Sequence, residues 1–205
     1  MSIKLFIALF AAVILPGVVA AQQDMTSAPA DARYETAIFA GGCFWCVEAD
    51  FDKVPGVVKT VSGYTGGHTK SPTYPDTSAG GTGHAESVEV TFDPAKISYK
   101  ELVDHLWHNI DPTTPNRQFC DSGDQYRTAI FYNSPEQKRI AEQSLRELEK
   151  TKPFKEPIVT EITQATTFYP AEDYHQDYHN KNPVRYKFYR YNCGRDQRLK
   201  ELWGE

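Results

Sequence analysis

The chain has 205 residues with 40% hydrophobic and 13% aromatic content, which is enough apolar material for one ordinary core and too much for a disordered body. Its net charge of −5, with no cluster of Lys or Arg, argues against nucleic acid as a partner. The expected layout is a segment at 1–20, a lead-in at 21–33, and one domain over 34–205 that ends in a tail from about 180.

Lys4 precedes the almost wholly apolar run Leu5 to Val19, and Val18-Val19-Ala20 offers small residues for cleavage. This predicts a signal peptide and a periplasmic or secreted mature protein. The run is shorter than the ~18 residues of a spanning helix, and Pro16 interrupts it, which disfavours an uncleaved anchor. Gln22 to Asp31 is polar and Pro/Ala-rich, so a flexible lead-in is expected.

Thr36 to Ala40 predicts a strand entering Gly41-Gly42, and Phe44, Val47, Phe51 and Val54 then recur at helical spacing until Pro55-Gly56. Cys43 therefore stands at a helix N-terminus. Unpaired amides and the positive dipole end favour thiolate there and should lower its pKa below the free value of about 8.5. Val57 to Tyr64 reads as a second strand, and Thr65 to Gly83 as a long loop of the kind that often carries function. Ala85 to Phe92 reads as a strand with Val88, Val90 and Phe92 on one face, stopped by Asp93-Pro94. Ser98-Tyr99-Lys100-Glu101 is a capping box, opening a helix with Leu102, Val103, Leu106, Trp107 and Ile110 inward.

Tyr126 to Tyr132 predicts another strand, and Ser134-Pro135 caps a long helix to about Lys150. Pro157 to Thr163 predicts a further strand, and a short helix near Ala171 to Tyr178 precedes a tyrosine-rich, basic tail. The order strand, helix, strand, strand, helix, strand is the split βαβ pattern. The expected fold class is α+β, a two-layer sandwich of ferredoxin-like type with extended loops.

Three further segments hold polar residues suited to chemistry beside a thiolate. They are Ser71-Pro72-Thr73-Tyr74, Gly83-His84-Ala85-Glu86, and Asp121 with Gln125-Tyr126-Arg127. Converging with Cys43, they would supply a carboxylic acid and two phenols to a polar oxygen. Taken singly, Glu86 is better explained as an exposed strand-end carboxylate, and the tyrosines as amphipathic core residues. The four cysteines, Cys43, Cys46, Cys120 and Cys193, also admit a purely structural disulfide reading with three pairings. The chain is large enough to fold without staples, which weakens that reading.

The segments Gly42-Cys43-Phe44-Trp45, Gly63-Tyr64-Thr65-Gly66-Gly67, Pro72-Thr73-Tyr74, Thr82-Gly83-His84-Ala85-Glu86, Asp93-Pro94, Gln125-Tyr126-Arg127 and Phe168 to Gln176 run in one order from about Tyr34 onward. Together they resemble the methionine sulfoxide reductase A family. The resemblance implies a catalytic domain that reduces methionine-S-sulfoxide, free or in proteins. It implies Cys43 as nucleophile, Phe44 and Trp45 against the substrate methyl group, and Glu86, Tyr74 and Tyr126 holding and protonating the sulfoxide oxygen, with Asp121 in support. It implies no metal and no cofactor, only an external thioredoxin-like dithiol. The chemistry agrees: a sulfoxide sulfur is a poor electrophile until its oxygen is protonated, and a buried neutral carboxylic acid can do this near neutral pH.

The family usually has Gly where this chain has Cys46, and the resulting Cys-x-x-Cys raises a thioredoxin-like oxidoreductase as an alternative. His175 and His179, four apart on a short helix near Asp173 and Asp177, raise a metal site, against which a solvated helix face is the better explanation. For the thiol that resolves a Cys43 sulfenic acid, Cys193 is the first choice, because family members often carry a resolving cysteine near the chain end. Cys46 is the second, and Cys120 is expected to be inert.

Overall fold

The computed structural model describes Met1 and residues 33–204. But for Met1 and Arg33, the predicted signal peptide and lead-in lie outside the described residues. The chain forms an α+β structure around a six-stranded sheet. In chain order the elements are β1 (Glu35–Gly41), α1 (Phe44–Phe51), β2 (Val57–Thr65), α2 (Tyr74–Ala79), β3 (Ala85–Phe92), α3 (Tyr99–His108), β4 (Arg117–Gln118), β5 (Asp121–Ser122), β6 (Thr128–Tyr132), α4 (Pro135–Thr151), β7 (Glu161–Gln164), β8 (Tyr169–Pro170), α5 (Tyr178–Lys181), α6 (Pro183–Asn192) and α7 (Arg195–Trp203).

The sheet order is β7-β6-β1-β3-β2-β8, and β4 and β5 form a separate two-stranded ribbon. All pairs in the large sheet are antiparallel except β6 with β7. Alternation along the strands sorts the core into two layers. Phe39 of β1, Val88, Val90 and Phe92 of β3, and Ile130 of β6 pack with Val47 and Phe51 of α1 and Leu102, Leu106 and Trp107 of α3. Ile38, Ala40, Ala129 and Phe131 form a smaller cluster with Phe168 on the other face.

Both expected helix starts are capped by side chains. Ser98 Oγ accepts from the Glu101 amide at 3.3 Å while Glu101 accepts from the Ser98 amide at 2.8 Å. Ser134 Oγ accepts from the Gln137 amide at 3.1 Å, with Pro135 at the first helical position. Four expectations need correcting. The stretch 65–83 is not all loop, since Thr73 and Asp76 cap α2, which buries only Thr77 and so carries no apolar periodicity to read. The strand expected over 157–163 is shorter and begins at Glu161. Residues 173–177 are turns rather than helix, and α5 starts at Tyr178. The tail is helical: α6 and α7 pack back through Tyr186, Arg195 and Leu202, whose mixed polar character hid the buried face.

Candidate active site

The chain reverses between β1 and α1 over Gly42 and Cys43. Gly42 has φ +82°, and a Cβ on it would stand 2.4 Å from Gln118 Cβ, so both backbone sign and space require glycine. The turn sets Cys43 at the N-cap of α1, where its carbonyl accepts from the Cys46 amide at 3.0 Å and the Val47 amide at 3.3 Å. Its side chain is only 8% exposed.

Glu86 shares the face of Val88, Val90 and Phe92 because side chains alternate along β3. That parity turns it inward against α1. Glu86 Oε2 accepts from the Phe44 amide at 3.0 Å, and the residue is 2% exposed. It is therefore no exposed strand-end carboxylate. Burial raises its pKa to about 8; the Phe44 amide opposes the rise, and Asp121 adds to it. Glu86 is a neutral carboxylic acid at neutral pH.

Cys43, Phe44, Trp45, Tyr74, Glu86, Asp121, Tyr126 and Tyr189 line one small cavity of about 60 Å³. All the residues expected around the oxygen thus meet at Cys43. The Tyr74 and Tyr126 hydroxyls are held protonated, first by burial and next by the neighbouring Glu86. Tyr74 is positioned by its backbone amide, which donates to Glu172 Oε1 at 2.8 Å, and Tyr64 donates to the other oxygen at 3.1 Å. The Tyr189 hydroxyl donates to Asp121. Trp45 donates from Nε1 to His175 Nδ1 at 3.0 Å and stacks on Tyr178 at 3.7 Å between centroids.

The cysteine chemistry departs from the simple helix-dipole expectation. The first amide of α1 goes to Glu86, and burial pushes the Cys43 thiol well up, with the Cys46 thiol and Glu86 adding to the rise. Cys46, one turn on and 2% exposed, is pulled down to about 7 by the hydrogen bond from Cys43, against its own burial and with help from Arg195 and Arg190. The two thiols titrate as a pair, and the Arg195 and Arg190 charges favour the anion on the Cys46 side. The cations are fixed. Arg190 grips Asp50 at 2.9 and 3.1 Å, and the buried Arg195 donates to the Gly41 carbonyl at 3.2 Å and the Asn109 carbonyl at 2.6 Å.

Cys120 and Cys193 are joined in a disulfide, with Cα atoms 4.8 Å apart. Cys43 and Cys46 are free thiols. Both disulfide sulfurs lie against Asp121, at 3.6 Å from Oδ1 and 3.9 Å from Oδ2. They line a second, larger cavity of about 600 Å³, and it shares Trp45, Tyr74 and Tyr189 with the small one. Cys46 rather than Cys193 therefore stands beside Cys43, and Cys120 has a bonded partner.

His175 and His179 do not share a helix face, because His175 lies in the turn 173–177 and His179 in α5. His175 serves Trp45, and His179 Nε2 lies 3.5 Å from Asp52. Among the described residues, two groups could converge on an ion: Asp52 with Asp177 and His179, and Cys120 with Asp121 and Cys193, the latter occupied by the disulfide. Sequence reasoning gave no role to Tyr189, Glu172, Arg190 or Arg195, and weighed His175 only as a metal ligand. Glu172 and His175 stand inside the Phe168 to Gln176 segment that carried the resemblance; the other three fall in the stretch read as a tail.

A dithiol at a strand-to-helix turn, facing a neutral carboxylic acid and two phenols on an α+β sheet, defines a thiol-dependent reductase site for a small polar group. A family model described as "Peptide methionine sulfoxide reductase" matches residues 35–205. Peptide methionine sulfoxide reductase MsrA of Bacillus licheniformis is 51% identical over 172 residues, covering 84% of this chain and 95% of its own. A structure of methionine sulfoxide reductase A of Corynebacterium diphtheriae superposes with a TM-score of 0.67 at 39% identity, over 74% of this chain and 76% of that one. Reduced Mxr1 of Saccharomyces cerevisiae gives 0.70 at 32% identity, over 74% and 87%. The chain belongs to the peptide methionine sulfoxide reductase family.

Proposed function

We propose that this protein reduces methionine-S-sulfoxide to methionine with its own thiols, and that Cys43 is the nucleophile. The observation that carries this is the single small cavity in which a buried thiol meets a carboxylic acid whose pKa is about 8. Glu86, assisted by the Tyr74 and Tyr126 hydroxyls, protonates the sulfoxide oxygen while Cys43 attacks sulfur and its proton passes to Cys46. Phe44 and Trp45 hold the methyl group. Methionine leaves, and Cys43 keeps the oxygen as a sulfenic acid. Cys46 then attacks the Cys43 sulfur, its proton leaves with the hydroxide as water, and a Cys43–Cys46 disulfide remains.

Cys43 and Cys46 are buried, whereas Cys120 is exposed. An external dithiol can reach the second pair far more easily than the first. The reduced Cys193 thiolate therefore attacks the Cys43–Cys46 disulfide, and Cys120 closes the exchange as the Cys120–Cys193 disulfide. Asp121 lies against both sulfurs and is raised by burial, opposed by Tyr189 and Arg195, which suits it to receive the proton of the attacking thiol. A thioredoxin-like protein reduces this outer disulfide. Fully reduced protein should then release two equivalents of methionine without added reductant, one for each thiol pair. Cys193→Ser should release one and lose thioredoxin-driven turnover. Two equivalents from that variant would remove the relay, and no methionine from the parent protein would remove the function.

The four strands β6-β1-β3-β2 with α1 and α3 follow the connection order of a split βαβ unit, which supports a ferredoxin-like reading of the sheet's centre. Lys4 and the run Leu5 to Val19 support export to the periplasm or beyond. The mature chain should then begin near Ala21 or Gln22 when its N-terminus is sequenced.

A further inference from the structure

The catalytic cavity, about 60 Å³, takes the methylsulfinyl end of a side chain and nothing more. Whatever is attached to that end must leave through the cavity mouth, where Trp45, Tyr74 and Tyr189 also line the 600 Å³ groove. One wall of this groove is α6, which contributes Arg185, Phe188, Tyr189 and Asn192. Phe188 belongs at the same time to an outward stripe. Val184, Phe188 and Tyr191, at helical spacings of four and three, are 82%, 71% and 83% exposed. Across the groove Tyr174 is 57% exposed. These four are among the few large apolar side chains that the described residues leave in solvent, and three of them sit on one short helix beside the active site.

Resting on the proposed function, we infer that the groove and the Val184–Phe188–Tyr191 stripe of α6 form the docking surface for the polypeptide that carries the methionine sulfoxide, and that they select apolar or aromatic residues next to it. Continuity with the catalytic cavity fixes the occupant, since a chain whose oxidised side chain is inserted has its neighbouring residues over Phe188. An unfolded or locally opened segment meets this need, because its apolar residues are exposed together with the oxidised methionine. Free methionine sulfoxide has no neighbouring residues to set against the stripe.

The test compares single turnovers of fully reduced protein on two probes, N-acetyl-methionine-S-sulfoxide amide and a short peptide with Phe on each side of methionine-S-sulfoxide. The unaltered protein should favour the peptide in rate over half-saturating concentration by about tenfold, the scale of one well-filled apolar contact. The double variant Val184→Ser, Phe188→Ser should lose most of that preference while its rate on the amide stays unchanged. Equal losses on both probes would mean that the substitutions disturb the site itself, and would overturn the inference. Unchanged rates on both, with a raised KM for thioredoxin in steady state, would give the surface to the reductant and overturn it equally. Absence of methionine release from either probe by the unaltered protein would instead remove the proposed function.

Discussion

Cys43→Ser should abolish methionine release in a single turnover while leaving the protein folded. A serine hydroxyl is far less acidic than a thiol, and oxygen is a poor nucleophile toward sulfoxide sulfur, so the rate should fall by about 10⁴-fold or more. Stability should not fall with it. The Cys43 side chain makes no capping hydrogen bond in α1, and serine is a favoured N-cap residue, so the melting temperature should hold or rise slightly. The contrast with Cys46→Ser is the informative one. That variant keeps the nucleophile and Glu86, so it should still release one equivalent of methionine. The Cys43 sulfenic acid should persist in it long enough to be trapped by a 1,3-dione. Release of methionine by Cys43→Ser would transfer the first step to another residue.

Glu86→Gln should slow the same step by 10²–10⁴-fold, the usual range of general acid assistance. Glutamine keeps the shape and can still meet the Phe44 amide, but it has no proton to give. The pH dependence separates this from a packing effect. Glu86 titrates at about 8 and must be protonated to act, so the parent rate should fall as pH rises through about 8. The thiol pair loses its first proton at about 7, so the rate should rise with pH through about 7. The parent profile is a narrow bell between these limits. In Glu86→Gln the alkaline limb should vanish while the limb near 7 remains. An unchanged rate with an unchanged alkaline limb would mean that the proton comes from elsewhere.

The catalytic side of this site was legible through the family resemblance of short segments, and taken singly its residues were not: Glu86 alone read as an exposed strand-end carboxylate. Gly41-Gly42 before Cys43 announces the turn, and the alternation of Val88, Val90 and Phe92 carries Glu86 onto the buried face. The capping box and apolar positions of α3, and the Ser134-Pro135 cap of α4, placed those helices closely, since those signals depend on residues a few positions apart. What the sequence hid depends on long-range contact. Tyr189, Arg190 and Arg195 reach the site from α6 and α7, whose few buried positions are Tyr186, Arg195 and Leu202, so no apolar stripe marks an inner face. The thiol pKa values were hidden for the same reason. The dipole argument for Cys43 was sound for an isolated helix, but Glu86, 42 residues away, takes the amide, and burial outweighs what remains. The pairing of Cys120 with Cys193, 73 residues apart, likewise needed the fold.

The most direct measurement is a time course of disulfide mapping. Fully reduced protein is mixed with one equivalent of methionine-S-sulfoxide, quenched with an alkylating agent at intervals, and its disulfides are identified by mass spectrometry. The Cys43–Cys46 disulfide should appear with the methionine and then decay as the Cys120–Cys193 disulfide grows. Methionine release with Cys43 and Cys46 both recovered as alkylated thiols at the earliest times, or a first disulfide that joins Cys43 to Cys193, would contradict the dithiol mechanism.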